Sequence, residues 1–154
     1  MSDFAISDLS GLLVWGVGNV LLGDDAIGCE VVKLLNKQGI SATDCGTTPE
    51  NHIATLKKNP PSTLLIVDAT DMGLQPGEFG LISLDKLDAI LESSHGVPLS
   101  FLLAPFENSM EIAVIGIQPL SLVLGSPLSD AATIAARRVV TLIAGGKWRT
   151  MKTP

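Results

Sequence analysis

The stretch LLVWGVGNVLLGDDAIG, from Leu12 to Gly28, determines which fold this chain can adopt. Its first seven residues, Leu12–Gly18, form a continuous apolar run that is typical of a strand buried on both faces of a sheet. A glycine-rich loop follows, and after Asp24 and Asp25 apolar residues recur at helix spacing until Gly39. A buried strand, a glycine loop and an amphipathic helix predict the first unit of a parallel α/β sheet.

The same alternation continues along the chain. Apolar runs predict four further strands: GISATDCG (39–46), STLLIVDA (62–69), GEFGLISL (77–84) and EIAVIGIQP (111–119). Helical patterns follow in PENHIATLKKNPP (49–61), DKLDAILESS (85–94) and SDAATIAARRVVTLIAGG (129–146). This order predicts an α/β fold with three layers (α/β/α), a mainly parallel twisted sheet of about five strands, and a single domain over residues 1–154.

Composition excludes several classes of partner. The formal net charge is −6, the pI is about 4.7, and no stripe of Lys and Arg stands out, so nucleic acid and anionic membranes are poor partners. The chain shows neither a signal-peptide pattern nor an apolar run of membrane-spanning length, which predicts a cytoplasmic protein. Cys29 and Cys45 form no C-x-x-C pair, so neither a disulfide framework nor a structural zinc site is indicated.

Acidic and amide side chains follow several of the predicted strands: Asp24, Asp25, Asp44, Asp68, Asp71 and Gln118. The carboxyl ends of parallel strands meet at one edge of a sheet, where ligands bind. Carboxylates that meet there at low exposure repel one another, and a cation resolves the conflict. His95, between two helical patterns, would add the imidazole that a transition metal prefers. A cation site at this edge is therefore one interpretation.

Each of these residues also has a simpler structural interpretation. One aspartate of the pair Asp24–Asp25 would cap the following helix, although a cap leaves the second unexplained. Taken singly, Asp44 and Asp68 are most simply interpreted as turn residues. His95 precedes a glycine and is most simply interpreted as a histidine in a loop. Cys29 falls in the apolar stripe of the helix and is most simply interpreted as a small core residue. Composition and spacing alone leave both interpretations open.

Other known motifs fit less well. The loop reads G-V-G-N-V-L, with Leu21 where a dinucleotide fingerprint has its third glycine, although Asp44 stands where an acid would contact a ribose. A small nucleotide-binding α/β domain therefore remains an alternative. The sequence contains no phosphate-binding G-x-x-x-x-G-K-[ST], no G-x-S-x-G elbow and no H-E-x-x-H helix.

Five features in order carry a resemblance: GVGNVLLGDDAIG, DCGTTPEN, LLIVDATDMGLQPGE, His95 and IGIQP. Together they resemble the hydrogenase maturation endopeptidases, from about Leu12 to the final helix. The similarity is greatest to the branch that acts on formate-hydrogenlyase-type hydrogenases. Members of this family remove the C-terminal extension of the large-subunit precursor of nickel-iron hydrogenases. The resemblance thus implies a metal-dependent, aspartic-type endopeptidase.

The resemblance also implies a site. The metal-contacting acid after the first strand matches Asp25, the acid of the third strand matches Asp68, and the histidine matches His95. The further acid, after the second strand, matches Asp44, which we expect to assist as an acid or base. Asp25, Asp44 and Asp68 are thus the expected catalytic residues. Where the family often has D-G-G-T, this chain has Cys45 after Asp44, which predicts strain if that position needs φ > 0.

In the family the precursor carries nickel, and the protease is thought to recognise that ion. Asp25, Asp68 and His95 would then complete the coordination of a substrate-borne nickel, and the protein is expected to act as a monomer. A second alternative is a nickel-dependent hydrogenase-binding protein that has lost cleavage. The segment GVPLSFLLAPF (Gly96–Phe106) would either line a docking cleft for the large subunit or form an ordinary buried helix.

Overall fold

The structure is a computed structural model that describes residues 9–84, 86 and 98–154. The strands are β1 (Leu12–Val17), β2 (Ala42–Gly46), β3 (Thr63–Ala69), β4 (Phe79–Ile82) and β5 (Glu111–Ile117). The helices are α1 (Ile27–Lys37), α2 (Ile53–Lys58), α3 (Leu99–Leu103) and α4 (Asp130–Ala144). The helix predicted over 85–94 lies outside the described residues except for Lys86.

The strands form one sheet in the order β2-β1-β3-β5-β4. β2, β1, β3 and β5 are parallel, and β4 pairs antiparallel with β5. The predicted mainly parallel five-stranded sheet is thus confirmed. All seven residues of β3 are buried, as the continuous apolar run of a central parallel strand requires. We call the edge where β1, β2, β3 and β5 end the carboxyl edge.

Helices cover both faces of the sheet. On one face α1 and α4 contribute apolar residues such as Leu35 and Val139 to a single core cluster. On the other face α2 and α3 contribute Leu56, Leu99 and Leu103. The described part of the segment predicted as a docking cleft or a buried helix, residues 98–106, contains α3 and buries Leu99, Leu103 and Phe106 against the sheet, as a packed helix does. Its exposed residues are Pro98, Phe101, Ala104 and Pro105. The three-layer α/β/α arrangement is confirmed.

Glycines bring α1 directly onto the backbone of the sheet. A Cβ atom on Gly28 would lie 2.5 Å from the carbonyl oxygen of Val67 and 2.7 Å from that of Val17. A Cβ on Gly16 would lie 2.3 Å from the carbonyl oxygen of Gly28. No side chain fits in these spaces, so the glycines of the opening stretch serve strand–helix packing. This packing sets the start of α1 against the carboxyl edge.

The strain expected at Cys45 does not occur. Within the described residues only glycines have a positive φ, and after β2 that conformation falls on Gly46, at φ 53°. Cys45 is instead buried in the core that also contains Trp15 and Leu56. The second glycine of the D-G-G-T pattern is thus present as Gly46, at the position where the backbone has a positive φ. The Cys45 side chain packs in the core.

None of the helices in the described part of the chain is long and apolar enough to cross a membrane.

Candidate active site at the carboxyl edge

The backbone amides of the glycine loop are engaged within the protein. Four of them donate to backbone carbonyl oxygens at 2.9–3.1 Å: Gly18, Leu22, Asp24 and Asp25. A phosphate cradle requires such N–H groups to point at the ligand. The nucleotide-binding alternative predicted an accessible anion site in this loop, and these hydrogen bonds contradict it.

Asp24 is a structural link between two loops. Its side chain is 1% exposed and accepts three hydrogen bonds: from the N–H of Leu120 at 2.8 Å, the N–H of Ser129 at 2.7 Å and the hydroxyl of Ser129 at 2.8 Å. Burial alone would raise the pKa of this carboxyl, but the donors of Ser129 and Leu120 outweigh burial, and the pKa is lowered. Asp24 is therefore an ionised anchor for the segment that leads into α4.

The helix-cap interpretation of the aspartate pair is wrong. The N-cap position of α1 is Ala26, and no side chain caps it. Ser129 caps α4 instead, because its hydroxyl oxygen accepts from the N–H of Ala132 at 3.1 Å. Asp25 lies partly buried beside the carboxyl edge, and its Oδ2 accepts from the N–H of Asn19 at 2.8 Å. This hydrogen bond ties the Asp25 side chain to the glycine loop that follows β1.

Asp68 is the most deeply buried acid of the carboxyl edge. It is the sixth residue of β3, and its side chain is 0% exposed. Burial raises its pKa well above the ordinary value, the charge of Asp25 raises it further, and the backbone N–H of Ala69 offsets part of this. Asp25 and Asp68, 43 positions apart in sequence, therefore lie close enough to interact electrostatically. The charge of Asp25 therefore disfavours ionisation of Asp68, as expected where a cation is to be bound.

Asp44 is held at the end of β2 by two donors. Its Oδ1 accepts from the N–H of Gly46 at 2.9 Å and from the thiol of Cys29 at 3.0 Å. The bond to Gly46 confirms the turn interpretation of Asp44, and the exposed position leaves its carboxylate open to solvent. The bond to Cys29 was not predicted, because the sequence indicated only a small core residue in an apolar stripe.

Cys29 lies among the three acids of the predicted site. Burial raises the pKa of its thiol to about 12, with contributions from Asp44 and then from the charges of Asp25 and Asp68. Burial likewise raises the pKa of Cys45 to about 12, with a contribution from Asp44. Both thiols are therefore protonated at neutral pH, which excludes a thiolate nucleophile.

Asp71 and Gln118 shape the loop after β3. Asp71 Oδ1 accepts from the N–H of Gly73 and from the side-chain amide of Gln118, both at 3.1 Å. The buried Gln118 in turn accepts from the N–H groups of Met72 at 2.7 Å and Leu74 at 3.2 Å. The side chains of both residues are thus used in fixing the β3–β4 connection.

The structure therefore brings three of the four predicted site residues to one place: Asp25, Asp44 and Asp68, around Cys29. His95, the fourth, lies outside the described residues. Within residues 9–84, 86 and 98–154, no three His, Cys, Asp or Glu side chains are grouped so that they could hold a metal ion by themselves. An open groove of about 770 Å³ runs along α1 and is lined in part by Cys29 and by one of the three acids, Asp44.

Comparison with known proteins gives a consistent result. Residues 29–145 match the family model described as HycI, hydrogenase maturation protease. The chain is 34% identical over 132 residues to the hydrogenase 3 maturation protease of Escherichia coli (strain K12), with 80% of this chain and 85% of the relative covered.

Solved structures agree with the sequence matches. The solution structure of the endopeptidase HycI from Escherichia coli superposes with a TM-score of 0.79 at 32% identity, covering 87% of this chain and 89% of that chain. The crystal structure of the NiFe hydrogenase maturation protease HycI from Thermococcus kodakarensis gives a TM-score of 0.79 at 29% identity, covering 95% and 99%. The α/β/α sheet of this chain is thus the fold of a class of endopeptidases. This chain belongs to the hydrogenase maturation protease family, and the resemblance found in its sequence is confirmed.

Proposed function

We propose that this protein removes the C-terminal extension of a nickel-iron hydrogenase large-subunit precursor after nickel insertion, and that it recognises the nickel. The proposal rests on the family and, above all, on one observation. Asp25 and Asp68 come from separate elements and interact electrostatically at the carboxyl edge, where Asp68 is fully buried. Bringing two carboxylates together is unfavourable without a cation, and the precursor's nickel would be that cation.

Asp25, Asp68 and His95 are the proposed contacts to the nickel. Two carboxylates and one imidazole leave open coordination positions, which suits an ion that arrives already bound to another protein. The nickel is thus part of the substrate, and a precursor without nickel would lack a recognition element. Whether a precursor is cleaved would then depend on its metal content.

Asp44 is the proposed assisting acid or base. The two thiols near it are protonated at neutral pH, so the attacking group would be water. A carboxylate that accepts the proton of that water, and returns a proton to the departing amine, completes the hydrolysis of a peptide bond. The donors Gly46 and Cys29 fix the Asp44 carboxylate for this role. We further propose that the enzyme is monomeric and acts in the cytoplasm, where the precursor is made.

The test is the intact mass of a cognate large-subunit precursor before and after incubation with this protein. Nickel-loaded and nickel-free precursor are compared, and a His95→Ala variant is included. We expect loss of a C-terminal peptide with nickel-loaded precursor and wild-type protein, and no loss in the other combinations. Cleavage of nickel-free precursor at the same rate would exclude nickel recognition. An unchanged mass with tight nickel-dependent binding would favour the binding protein without proteolytic activity.

A further inference from the structure

Two neighbouring loops at the carboxyl edge expose large apolar side chains. We call residues 19–23 and 119–128 the apolar loops. They carry six such side chains, exposed by 51–71%: Val20, Leu21, Leu120, Leu122, Val123 and Leu124. Elsewhere in the part of the chain that the structure describes, Phe101 and Ile134 are the only large apolar residues with comparable exposure. Exposed apolar residues are thus concentrated beside the acidic site, which marks an interaction surface.

The two apolar loops are tied to each other. The N–H of Gly125 donates to the carbonyl oxygen of Leu21 at 2.8 Å, and the N–H of Asp24 donates to that of Ser121 at 2.9 Å. A Cβ atom on Gly23, where φ is 55°, would lie 2.7 Å from the Ser121 carbonyl oxygen. The buried carboxylate of Asp24 holds the N–H of Leu120 as well. The apolar side chains therefore project from a backbone whose conformation is fixed before any partner binds.

The apolar surface is continuous with the candidate active site. The open groove of about 770 Å³ is lined by Val20 and Leu128 from the apolar loops and by Cys29 and Asp44 from the site. Its remaining wall is α1, with residues that include Glu30, Lys33 and Lys37. Asn19, in the first loop, donates to Asp25. A polypeptide that reaches Asp44 along this groove would therefore pass beside Val20 and Leu128 of the apolar loops.

The chemistry of the surface defines the chemistry of its partner. Residues 19–23 and 119–128 include no charged side chain, although the chain has 26 in total, 10 basic and 16 acidic. A surface of this kind pairs with apolar, uncharged groups, since burying a charge against it would cost free energy. Leu, Val and Pro side chains of the loops would form the dry centre of such a contact.

We propose that the apolar loops are the docking surface for the folded large-subunit precursor, which packs an apolar patch next to its cleavage segment against them. The inference rests on the proposed function, because the occupant is the substrate that the acids would cleave. Docking and cleavage are then separate tasks of adjacent groups: the loops bind the folded subunit, and the acids act on its extension.

The test is the cleavage rate of nickel-loaded precursor, measured across precursor concentrations. The variants are the double substitution Val123→Ser with Leu124→Ser and the single substitution Leu21→Ser. Ile134→Ser is the matched control, because Ile134 is 57% exposed and lies on α4 outside the apolar loops. We expect KM to rise about tenfold or more for the double variant and about threefold for Leu21→Ser, with kcat within about twofold. Ile134→Ser should match the wild type, and thermal unfolding checks that each variant is folded.

Unchanged KM values in both loop variants would overturn the docking surface, and so would an equal rise in Ile134→Ser. Light scattering in solution tests the other occupant, a second copy of this chain. A wild-type dimer that the double substitution dissociates would also overturn the proposal. If the wild type cleaves no precursor, the proposed function fails. The docking surface is then tested separately, by measuring the affinity of the same variants for immobilised precursor. Weaker binding of the loop variants alone would support it, and equal binding would exclude it.

Discussion

Asp24 and Asp68 are both almost fully buried aspartates near the carboxyl edge, and their surroundings act in opposite directions. Asp24 accepts three hydrogen bonds from Leu120 and Ser129, and its pKa is lowered. Asp68 lies at the end of β3 near the charge of Asp25, and its pKa is raised. Burial of a carboxylate therefore does not by itself indicate function. An acid surrounded by donors stabilises the fold, whereas an acid placed near another acid is held ready for a cation.

The largest effect is expected from Asp68→Asn. Cleavage of nickel-loaded precursor should fall about 100-fold or more, because a group that contacts the reacting centre is lost. The free energy of unfolding at pH 7 should be equal to or higher than that of the wild type, since an unfavourably placed carboxyl is removed. Intact mass and chemical denaturation measure the two quantities. A large loss of stability would contradict the role assigned to Asp68.

The same variant gives a pH dependence with a definite sign. The pKa of Asp68 is raised in the folded protein, so the folded state retains a proton that the unfolded state releases above its ordinary pKa, 3.8. Stability contributed by this group is therefore full at low pH and is lost as pH rises from about 4 through the folded pKa. Asn does not titrate. The stability of Asp68→Asn relative to wild type should therefore increase with pH in metal-free protein, and a constant difference would contradict the raised pKa.

Asp24→Ala should have the opposite profile. It removes three hydrogen bonds to a buried charged acceptor, which we expect to lower the free energy of unfolding by about 2–4 kcal/mol. The pKa of Asp24 is lowered from 3.8, so its stabilisation is present above that value and is lost as pH falls through the folded pKa. The deficit of the variant should therefore shrink below about pH 4. Glu107→Ala, at an exposed acid, is the control in the same denaturation series.

Cys29→Ala should reduce cleavage about fivefold, because it removes the donor at 3.0 Å from Asp44. Cys29→Ser keeps a donor at that position and should restore most of the rate. The pH profile of cleavage separates positioning from packing, since a change in packing alone would leave the profile unchanged. Equal activity of the two variants would indicate that Asp44 needs no support from this residue.

The smallest effect is expected at a surface carboxylate. Glu111 is paired with Arg149 at 2.6 Å, with side chains 46% and 49% exposed. Glu111→Ala should change the free energy of unfolding by at most about 1 kcal/mol and leave cleavage unchanged. Denaturation at low and high salt checks this, because screening should remove what little stabilisation the pair provides. A larger effect would show that solvent exposure is a poor guide to the role of an acid in this protein.

The layers and strands could be predicted from sequence because the pattern is local. The continuous apolar runs of β1, β3 and β5 require a sheet covered on both faces, and the stop at Gly39 is recognisable without the fold. The start of α4 is recognisable to within one residue, at Ser129 or Asp130, and the structure places the cap at Ser129. The placement of Asp25, Asp44 and Asp68 at the carboxyl edge was predicted because they follow or end parallel strands, and the resemblance to the family selected them from the other acids there. That reasoning predicts that the three acids lie at the same edge of the sheet, but it does not predict the distances between them.

The roles of neighbouring residues could not be predicted, because their partners are remote in sequence. Asp24 and Asp25 look equivalent in the chain, yet the donors that engage Asp24 lie 96 and 105 residues away. Cys29 was assigned to the core because it falls in the apolar stripe of α1, and its acceptor, Asp44, lies 15 positions away on β2. The available signal was its place directly after Gly28, which is packed against the sheet at its carboxyl edge.

One comparison decides whether the two buried aspartates have separate roles. Nickel-loaded precursor is incubated with wild type, Asp24→Ala or Asp68→Asn, each at equal folded concentration and below its unfolding temperature, and intact mass is followed with time. At saturating precursor, where weaker docking through the apolar loops that Asp24 anchors does not limit the rate, we expect similar peptide release by the wild type and Asp24→Ala. Release by Asp68→Asn should be slower by about 100-fold or more. Release by Asp68→Asn at the wild-type rate would contradict the assignment of the carboxyl edge as the active site.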